Sequence, residues 1–523
     1  MTGTMIGRAF VGAMAALALG TAGGATAQSG AVDGAVATGV VALDQPGPVI
    51  APEVYGHFME QLGSGIDGGV WVGPDSDIPN IRGYRRDVVE ALQALEVPVV
   101  RWPGGCYADI YHWRDGIGPR EARPVRLNHW WGGAEEAHAF GTHEFFEFAE
   151  LIGAKTYLSL NVGSGTVAES MAWIEYITSP SRSTLANERR ANGREAPWTI
   201  DYLGIGNEPW GCGGRMRPEY YADLLRHYVG FVTGGGQDPV VVAAGPAGDD
   251  GNWTRVLMAA DDHFDALALH YYTLPTGDWT TKGPAIGFGE DQWRSAFTQT
   301  YRMEAHLQLH DGLMDVADPA GEKILAVDEW GAWYDPTPGT LPGALQQQNS
   351  LRDGLLAAVN FHIFHRHADR VRLANVAQMV NVLQSVLLTD GPRMVRTPTY
   401  HAFHMYRPFK GAQTLPVRLD TPAYGDLPAV DVTAAVREDG EVVVGLVQLD
   451  PGRSRTVTLR IPGLGPRTVS AEVLTAGRID AHNTFEAPDV VRARVFDGAT
   501  VDGDQLRLVL PAGSVVVVRL ARS

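Results

Sequence analysis

The sequence predicts an α/β protein, a (β/α)8 barrel followed by an all-β sandwich. Three observations predict it. The chain has 523 residues, 45% of them hydrophobic, which suits a barrel of roughly 250 residues with a smaller domain beside it. Between Ala51 and Val380, short apolar runs alternate with amphipathic stretches of helical period, the pattern of parallel β/α units. Beyond Pro408 the texture changes to Val-rich alternating segments parted by Gly, Pro and Asp turns, the pattern of a sandwich.

Composition excludes several classes. With 13 Trp, 17 Tyr and 16 Phe, the chain has too many core-formers for a disordered protein. The net charge of −18 repels phosphate backbones and anionic lipid, so no nucleic acid and no membrane are expected as partners. So many Trp residues suit stacking on sugars.

Residues 1–27 are expected to be an export signal. Arg8 precedes the small apolar run Ala9–Gly20, and Ala25-Thr26-Ala27 suits signal peptidase. The apolar run is too short to span a bilayer. This reading places the protein outside the cytoplasm, periplasmic or secreted. The only cysteines, Cys106 and Cys212, lie in Gly-rich segments near the expected site, which favours two free thiols over a bridge.

Residues 28–50 are strand-like from Val36 to Val49 and are expected to join the C-terminal sandwich. The barrel is placed at 51–407. Its eight expected strands are Val54–Glu60, Pro98–Trp102, Thr156–Val162, Tyr202–Gly206, Val240–Ala244, Ala266–Tyr271, Ile324–Asp328 and Arg372–Gln378. Helices are expected over Arg85–Leu95, Thr142–Leu151, Pro218–Val232 and Gln346–Arg366. A doubly wound open sheet competes with this reading, but no phosphate-binding glycine loop follows the first strand. The sandwich, 408–523, is read from Glu441–Leu449, Ser454–Ile461, Ser470–Leu474, Gln505–Leu510 and Gly513–Leu520.

In a barrel, chemistry sits where strands end. The fourth strand ends in Gly206-Asn207-Glu208-Pro209-Trp210 and the seventh in Asp328-Glu329-Trp330-Gly331. Two glutamates facing each other across a barrel mouth are what glycoside hydrolysis requires: an acid for the leaving oxygen and a carboxylate on the other face of the sugar. Trp113, Trp130, Trp131 and Trp210 are candidate stacking platforms, Trp131 foremost because of its Gly-flanked loop. His362, His365 and His367 do not share one helix face, so no metal site is expected there. Gly163-Ser-Gly165 lacks the nucleophile-elbow pattern, and Gly234–Gly236 reads as a turn. The doublets Asp249-Asp250 and Asp261-Asp262 read as loop acids or helix caps.

The runs Arg101-Trp-Pro-Gly-Gly-Cys106, His112-Trp-Arg-Asp-Gly-Ile-Gly-Pro-Arg120 and Gly206-Asn-Glu-Pro-Trp-Gly-Cys-Gly-Gly214 resemble the signature of glycoside hydrolase family 51 α-L-arabinofuranosidases. Gly56-His-Phe-Met-Glu60, Gly68-Gly-Val-Trp71, Leu269-His-Tyr-Tyr272 and Asn375-Val-Ala-Gln-Met-Val-Asn381 add to the match. The resemblance implies Glu208 as general acid/base, Glu329 as nucleophile and Asn207 on the sugar 2-hydroxyl. It further implies Tyr272 and Arg101 as supports of the nucleophile, Glu60 and Gln378 on the furanose hydroxyls, and Cys106 in the pocket floor, where some relatives carry Asn. The expected reaction releases terminal arabinofuranose from arabinoxylan, arabinan or their oligosaccharides by double displacement, with no cofactor and no metal. A homo-oligomer is compatible with the resemblance. The alternatives are a β-xylosidase or endoglucanase of the same retaining clan, or a non-catalytic carbohydrate-binding protein.

Overall fold

The computed structural model describes residues 36–232, 238–260 and 263–522. The expected signal, the Gly234–Gly236 turn and the Asp261-Asp262 pair lie outside the described residues. Eight parallel strands close a barrel in chain order: β1 (Gly56–Phe58), β2 (Val99–Trp102), β3 (Lys155–Leu160), β4 (Tyr202–Ile205), β5 (Val240–Ala243), β6 (Ala266–Thr273), β7 (Ile324–Ala332) and β8 (Val371–Ala377). Their alternation sorts side chains. Val99, Tyr157, Tyr202, Val242, Ala266, Ala268, Ala326 and Leu373 form one apolar cluster, while Val100, Trp102, Leu158, Leu325 and Val327 join the larger core beneath the helices. Two residues along from Val99 the alternation delivers Arg101, buried at the mouth.

Two strands depart from expectation. Val54 and Tyr55 belong to a 3-10 turn, Pro52–Tyr55, opened by proline. Proline has no amide hydrogen to give a ladder, so β1 starts only at Gly56. In contrast, β7 does not end at Asp328 but runs on to Ala332 beside β6. The pairing shifts there: Ala268 faces Ala326 but His270 faces Glu329, and a second shift on the β8 side falls between Val327 and Trp330. An irregularity of this kind re-aims side chains. Consecutive Asp328 and Glu329 therefore both reach Arg101 at the barrel mouth, which strict alternation would forbid. The helix expected from Gln346 begins instead at Leu351, where Ser350 and Asp353 form a capping box.

The C-terminal sandwich has a five-stranded and a six-stranded sheet. The N-terminal strand Ala37–Val41 lies in the first, antiparallel to Val417–Asp420 and parallel to Arg455–Arg460. In the six-stranded sheet, Val442–Gln448 is buried on both faces. Val444 and Leu446 enter the sandwich core, while Val443 and Val447 belong to the barrel's core. That double cover explains a continuous valine run in an antiparallel sheet. By contrast Gln505–Leu510 alternates exposed and buried.

His362 and His365, on helix Leu351–Arg366, serve the same junction, while His367 ties that helix to its neighbour in the barrel. His362 Nε2 meets Tyr406 OH at 2.6 Å. His365 lies between Tyr55 OH and Thr433 Oγ1, at 2.8 and 3.0 Å. His367, just past the helix, meets Glu304 at 2.7 Å. Their partners diverge, so they do not converge on a metal.

Candidate active site

Arg101, at the end of β2, organises the mouth. Its Nη1 donates to Glu329 Oε1 at 2.7 Å and its Nη2 to Asn207 Oδ1 at 2.7 Å, while Nε lies 3.4 Å from Asp328 Oδ2. The guanidinium stacks between the rings of Phe58 and Tyr157. Burial works against its charge, but Asp328 and Glu329 outweigh burial and hold its pKa above the ordinary value. On the other side, Tyr272 OH donates to Glu329 Oε2 at 2.8 Å. Glu329 is thus held at both oxygens, one by a cation and one by a phenol.

Glu208 sits on the turn after β4, in a left-handed backbone conformation (φ 40°) that a side chain adopts only when its surroundings impose it. The amides of Gly211 and Gly213 impose it by donating to the Glu208 carbonyl, at 2.7 and 3.0 Å. Asp109 anchors the turn from outside: its Oδ2 accepts from the Asn207 amide, its Oδ1 from Val162 and Gly163. The nearest oxygens of Glu208 and Glu329, with a ring nitrogen of His270, all lie within 4.8 Å of one another.

His270 joins the two carboxylates. Nδ1 is 2.9 Å from Glu208 Oε1 and 3.5 Å from Glu329 Oε2, and Nε2 is 3.1 Å from Asp328 Oδ1. Burial disfavours its charge, but Glu329 and Asp328 prevail and push its pKa up to about 10. Asp328 is held low in turn: burial raises it, while Arg101 and His270 pull it down, and Tyr157 OH donates to it at 2.8 Å. Sequence reasoning missed the roles of His270 and Asp328. Both lay inside runs singled out for their neighbours, Leu269–Tyr272 and Asp328–Gly331.

At the closed end of the mouth, Glu60 accepts from the Tyr107 amide and Trp131 Nε1, both at 2.9 Å, and from Gln378 Nε2 at 3.1 Å. Burial pushes its pKa up to about 8 against the pull of the Trp131 and Tyr107 hydrogen bonds. These groups line a cavity of about 520 Å³ with Cys106, Glu208, Trp210, His270, Tyr272, Trp279, Glu329 and Trp333. Two of the four tryptophans marked in the sequence do not line it. Trp113 is buried under Glu169, to whose carbonyl it donates, and Trp130 is exposed elsewhere. Trp279 and Trp333, in their place, sit edge-on to each other and to Tyr272.

The free-thiol expectation for Cys106 and Cys212 is corrected: they form a disulfide. They are 106 residues apart, but barrel closure brings the loops after β2 and β4 together, with Cα atoms 5.5 Å apart, inside the range a bridge needs. Two groupings of potential metal ligands fall in the site. One contains the bridged sulfurs, which are not thiolates. The other is Glu208, His270 and Glu329, where a protonated imidazole has no lone pair to offer.

A closed barrel with paired glutamates on its mouth, one tied to arginine and tyrosine, is the arrangement of a glycoside hydrolase. Two family models match, described as "alpha-L-arabinofuranosidase 1 domain" over residues 91–278 and "alpha-L-arabinofuranosidase C-terminal domain" over residues 328–514. An intracellular exo-α-L-arabinofuranosidase of Bacteroides ovatus is 44% identical over 92% of this chain and 95% of its own. The structure of the family 51 arabinofuranosidase of Xanthomonas axonopodis pv. citri superposes with a TM-score of 0.91 at 50% identity, covering 93% of this chain and all of that one. That of the Thermotoga maritima α-L-arabinofuranosidase, solved as an arabinose complex, gives 0.83 at 29% identity, covering 92% and 99%. The chain belongs to glycoside hydrolase family 51, the α-L-arabinofuranosidases.

The comparisons also correct the expected localisation. The Bacteroides ovatus relative is named an intracellular enzyme, against the exported, periplasmic or secreted placement. That placement rested on Arg8, the short apolar run Ala9–Gly20 and Ala25-Thr26-Ala27, features that an Ala/Gly-rich tail also carries.

Proposed function

We infer that the protein removes terminal α-L-arabinofuranosyl residues from arabinofuranosyl-containing oligo- or polysaccharides by exo-acting double displacement, with Glu329 as nucleophile and Glu208 as acid/base. The observation that carries this reading is the spacing of the two carboxylates, within 4.8 Å at their nearest oxygens. Retaining enzymes hold the pair about 5–5.5 Å apart, whereas inverting ones need about 6.5–9.5 Å for an intervening water.

The steps follow from the contacts. Arg101 and Tyr272 each hold one oxygen of Glu329 and orient it for attack on the anomeric carbon. Glu208 gives a proton to the leaving oxygen, then takes one from the water that releases the sugar. Arg101 holds Asn207 by its carbonyl oxygen, which leaves the Asn207 amide group to donate to the 2-hydroxyl as the oxocarbenium ion develops. Glu60, Trp131 and Gln378 form one wall of hydrogen-bonding groups suited to a single furanose, which supports exo action. Trp210, on the same turn as Glu208, lines the cavity and is the candidate stacking surface for the leaving sugar.

The test is hydrolysis of an aryl α-L-arabinofuranoside with and without azide. Glu208→Ala should accumulate the β-linked glycosyl-enzyme, which azide releases as the α-arabinosyl azide. Glu329→Ala should lose about 10⁴-fold or more in kcat, or yield only the inverted β-azide. Activity on an aryl β-xyloside in place of the arabinoside would keep the two roles and overturn the sugar.

A further inference from the structure

The disulfide is built into the acid/base turn. Cys106 follows Gly104 and Gly105, which press so closely on Glu60 that a Cβ on Gly105 would lie 2.9 Å from Glu60 Oε2. Cys212 closes the other turn, between the two glycine amides that hold the Glu208 carbonyl. Its Sγ lies 3.6 Å from Glu208 Oε2 and 3.5 Å from Asn207 Nδ2. Glu208 Oε1 is meanwhile held by His270. The acid/base carboxyl is therefore wedged between an imidazolium and a sulfur of the bridge. Both cysteines are half-buried and Cys106 lines the cavity, so a small reductant reaches the bond by the substrate's route.

We propose that the Cys106–Cys212 bridge is a positioning element for the acid/base, and that a dithiol opening it removes acid assistance while leaving the nucleophile in place. The exchange balances. The dithiol supplies two electrons and two protons, the S–S bond breaks, two cysteine thiols form, and the reductant leaves as its own disulfide. The two donors on the Glu329 carboxylate, Arg101 and Tyr272, do not depend on the bridge, whose sulfur touches the nucleophile side only at one remove, through Asn207. The Glu208 turn, by contrast, loses its covalent tie to the β2 loop while its backbone sits in a conformation that needs outside support.

The proposal rests on Glu208 being the acid/base, and a split between substrates isolates that step. An activated aryl leaving group departs without a proton, whereas a sugar does not. After treatment with dithiothreitol, confirmed by titration of two thiols, kcat/KM on an arabinofuranosyl oligosaccharide should fall about 10-fold or more. On 2,4-dinitrophenyl α-L-arabinofuranoside it should change less than about 2-fold. Reoxidation should restore the first value, and Cys212→Ser should reproduce the split without reductant.

Full reduction that leaves oligosaccharide cleavage within about 2-fold, or that lowers both substrates equally, overturns the proposal. Glu208→Ala serves as the separate control. Azide rescue of that variant with no dithiol effect on wild type sinks the bridge alone, whereas absence of azide rescue sinks the acid/base assignment itself.

Discussion

Glu60 shows how burial and hydrogen bonding compete at one side chain. Three donors converge on it, yet burial prevails and pushes its pKa from 4.5 to about 8. A carboxyl raised in the folded state contributes stability that is complete below its unfolded value and is lost as pH rises through the folded one. The window is therefore pH 4.5 to about 8. Glu60→Gln removes the titration and keeps the shape. Gln378 Oε1 has no hydrogen-bond partner among the described residues, so a flip of that amide accommodates the new one. The melting temperature of Glu60→Gln should match wild type near pH 4 and exceed it at pH 9, by scanning calorimetry, while KM for an aryl arabinofuranoside rises about 10-fold. Glu208 and Glu329 were legible because each sits in a run expected to end a strand among glycines and tryptophans, and Glu60 because the run Gly56–Glu60 resembles the family's. The partnership of His270 with Asp328 was not. It depends on a register shift between two strands, and nothing in the residue types Leu269 to Tyr272 marks it. Nor was the disulfide legible, since pairing depends on which loops the closed barrel brings together.

At the scale of the element, the turn from Gly206 to Gly214 carries the most constraint. Gly213 has no room for a side chain: a Cβ would lie 2.1 Å from the Asn207 carbonyl oxygen and 2.7 Å from Asp109 Oδ2. The carbonyl belongs to the residue before Glu208, so any relief displaces the acid/base. Misplacement by about 1 Å costs on the order of 100-fold in rate. Gly213→Ala should lower kcat/KM on an oligosaccharide by about that factor, whereas Gly312→Ala, on the open face of helix Arg302–Ala317 with nothing within 4 Å, should leave the rate unchanged and add about 0.5–1 kcal/mol of stability. Steady-state kinetics beside thermal melts of both variants separates the two effects. Most strands and the helix Pro218–Val232 followed from periodicity and flanking glycines. The elements whose ends were misplaced are those where a local rule yields to a neighbour. Pro52 delays β1, pairing with β6 carries β7 four residues past Asp328, and the capping box at Ser350 delays the helix before β8.

Across the whole molecule, the sandwich is joined to the barrel through a sheet buried on both faces, and one acid from that sheet reaches the barrel helices. Asp431, on the strand Val430–Val436, accepts from Tyr301 OH at 2.7 Å and lies 3.3 Å from both Arg366 Nη1 and His362 Nδ1. Burial would raise its pKa, but Arg366 and His362 overcome it and depress it well below the usual carboxylate range. The alternating pattern of the C-terminal strands made the sandwich legible. That one of its sheets is covered on both faces was not read from the sequence, and an acid flanked by valines gives no sign of a partner 65 residues away. A depressed carboxyl contributes stability that is present above its unfolded pKa and is lost as pH falls toward the folded one. Arg366 is partly exposed and also pairs with Glu304, so it is not stranded by loss of the charge. Asp431→Asn should therefore cost about 1–3 kcal/mol at pH 7, less than breaking a fully enclosed pair. The gap between variant and wild type should narrow below about pH 4, where the unfolded chain's own aspartates protonate. Because Asp431 lies at the junction and not at the mouth, kcat/KM at temperatures well below the melting point should stay at the wild-type value. Thermal melts at pH 7 and pH 3.5 check the sign: a gap that widens in acid would mean that the charge of Asp431 does not hold the two domains together.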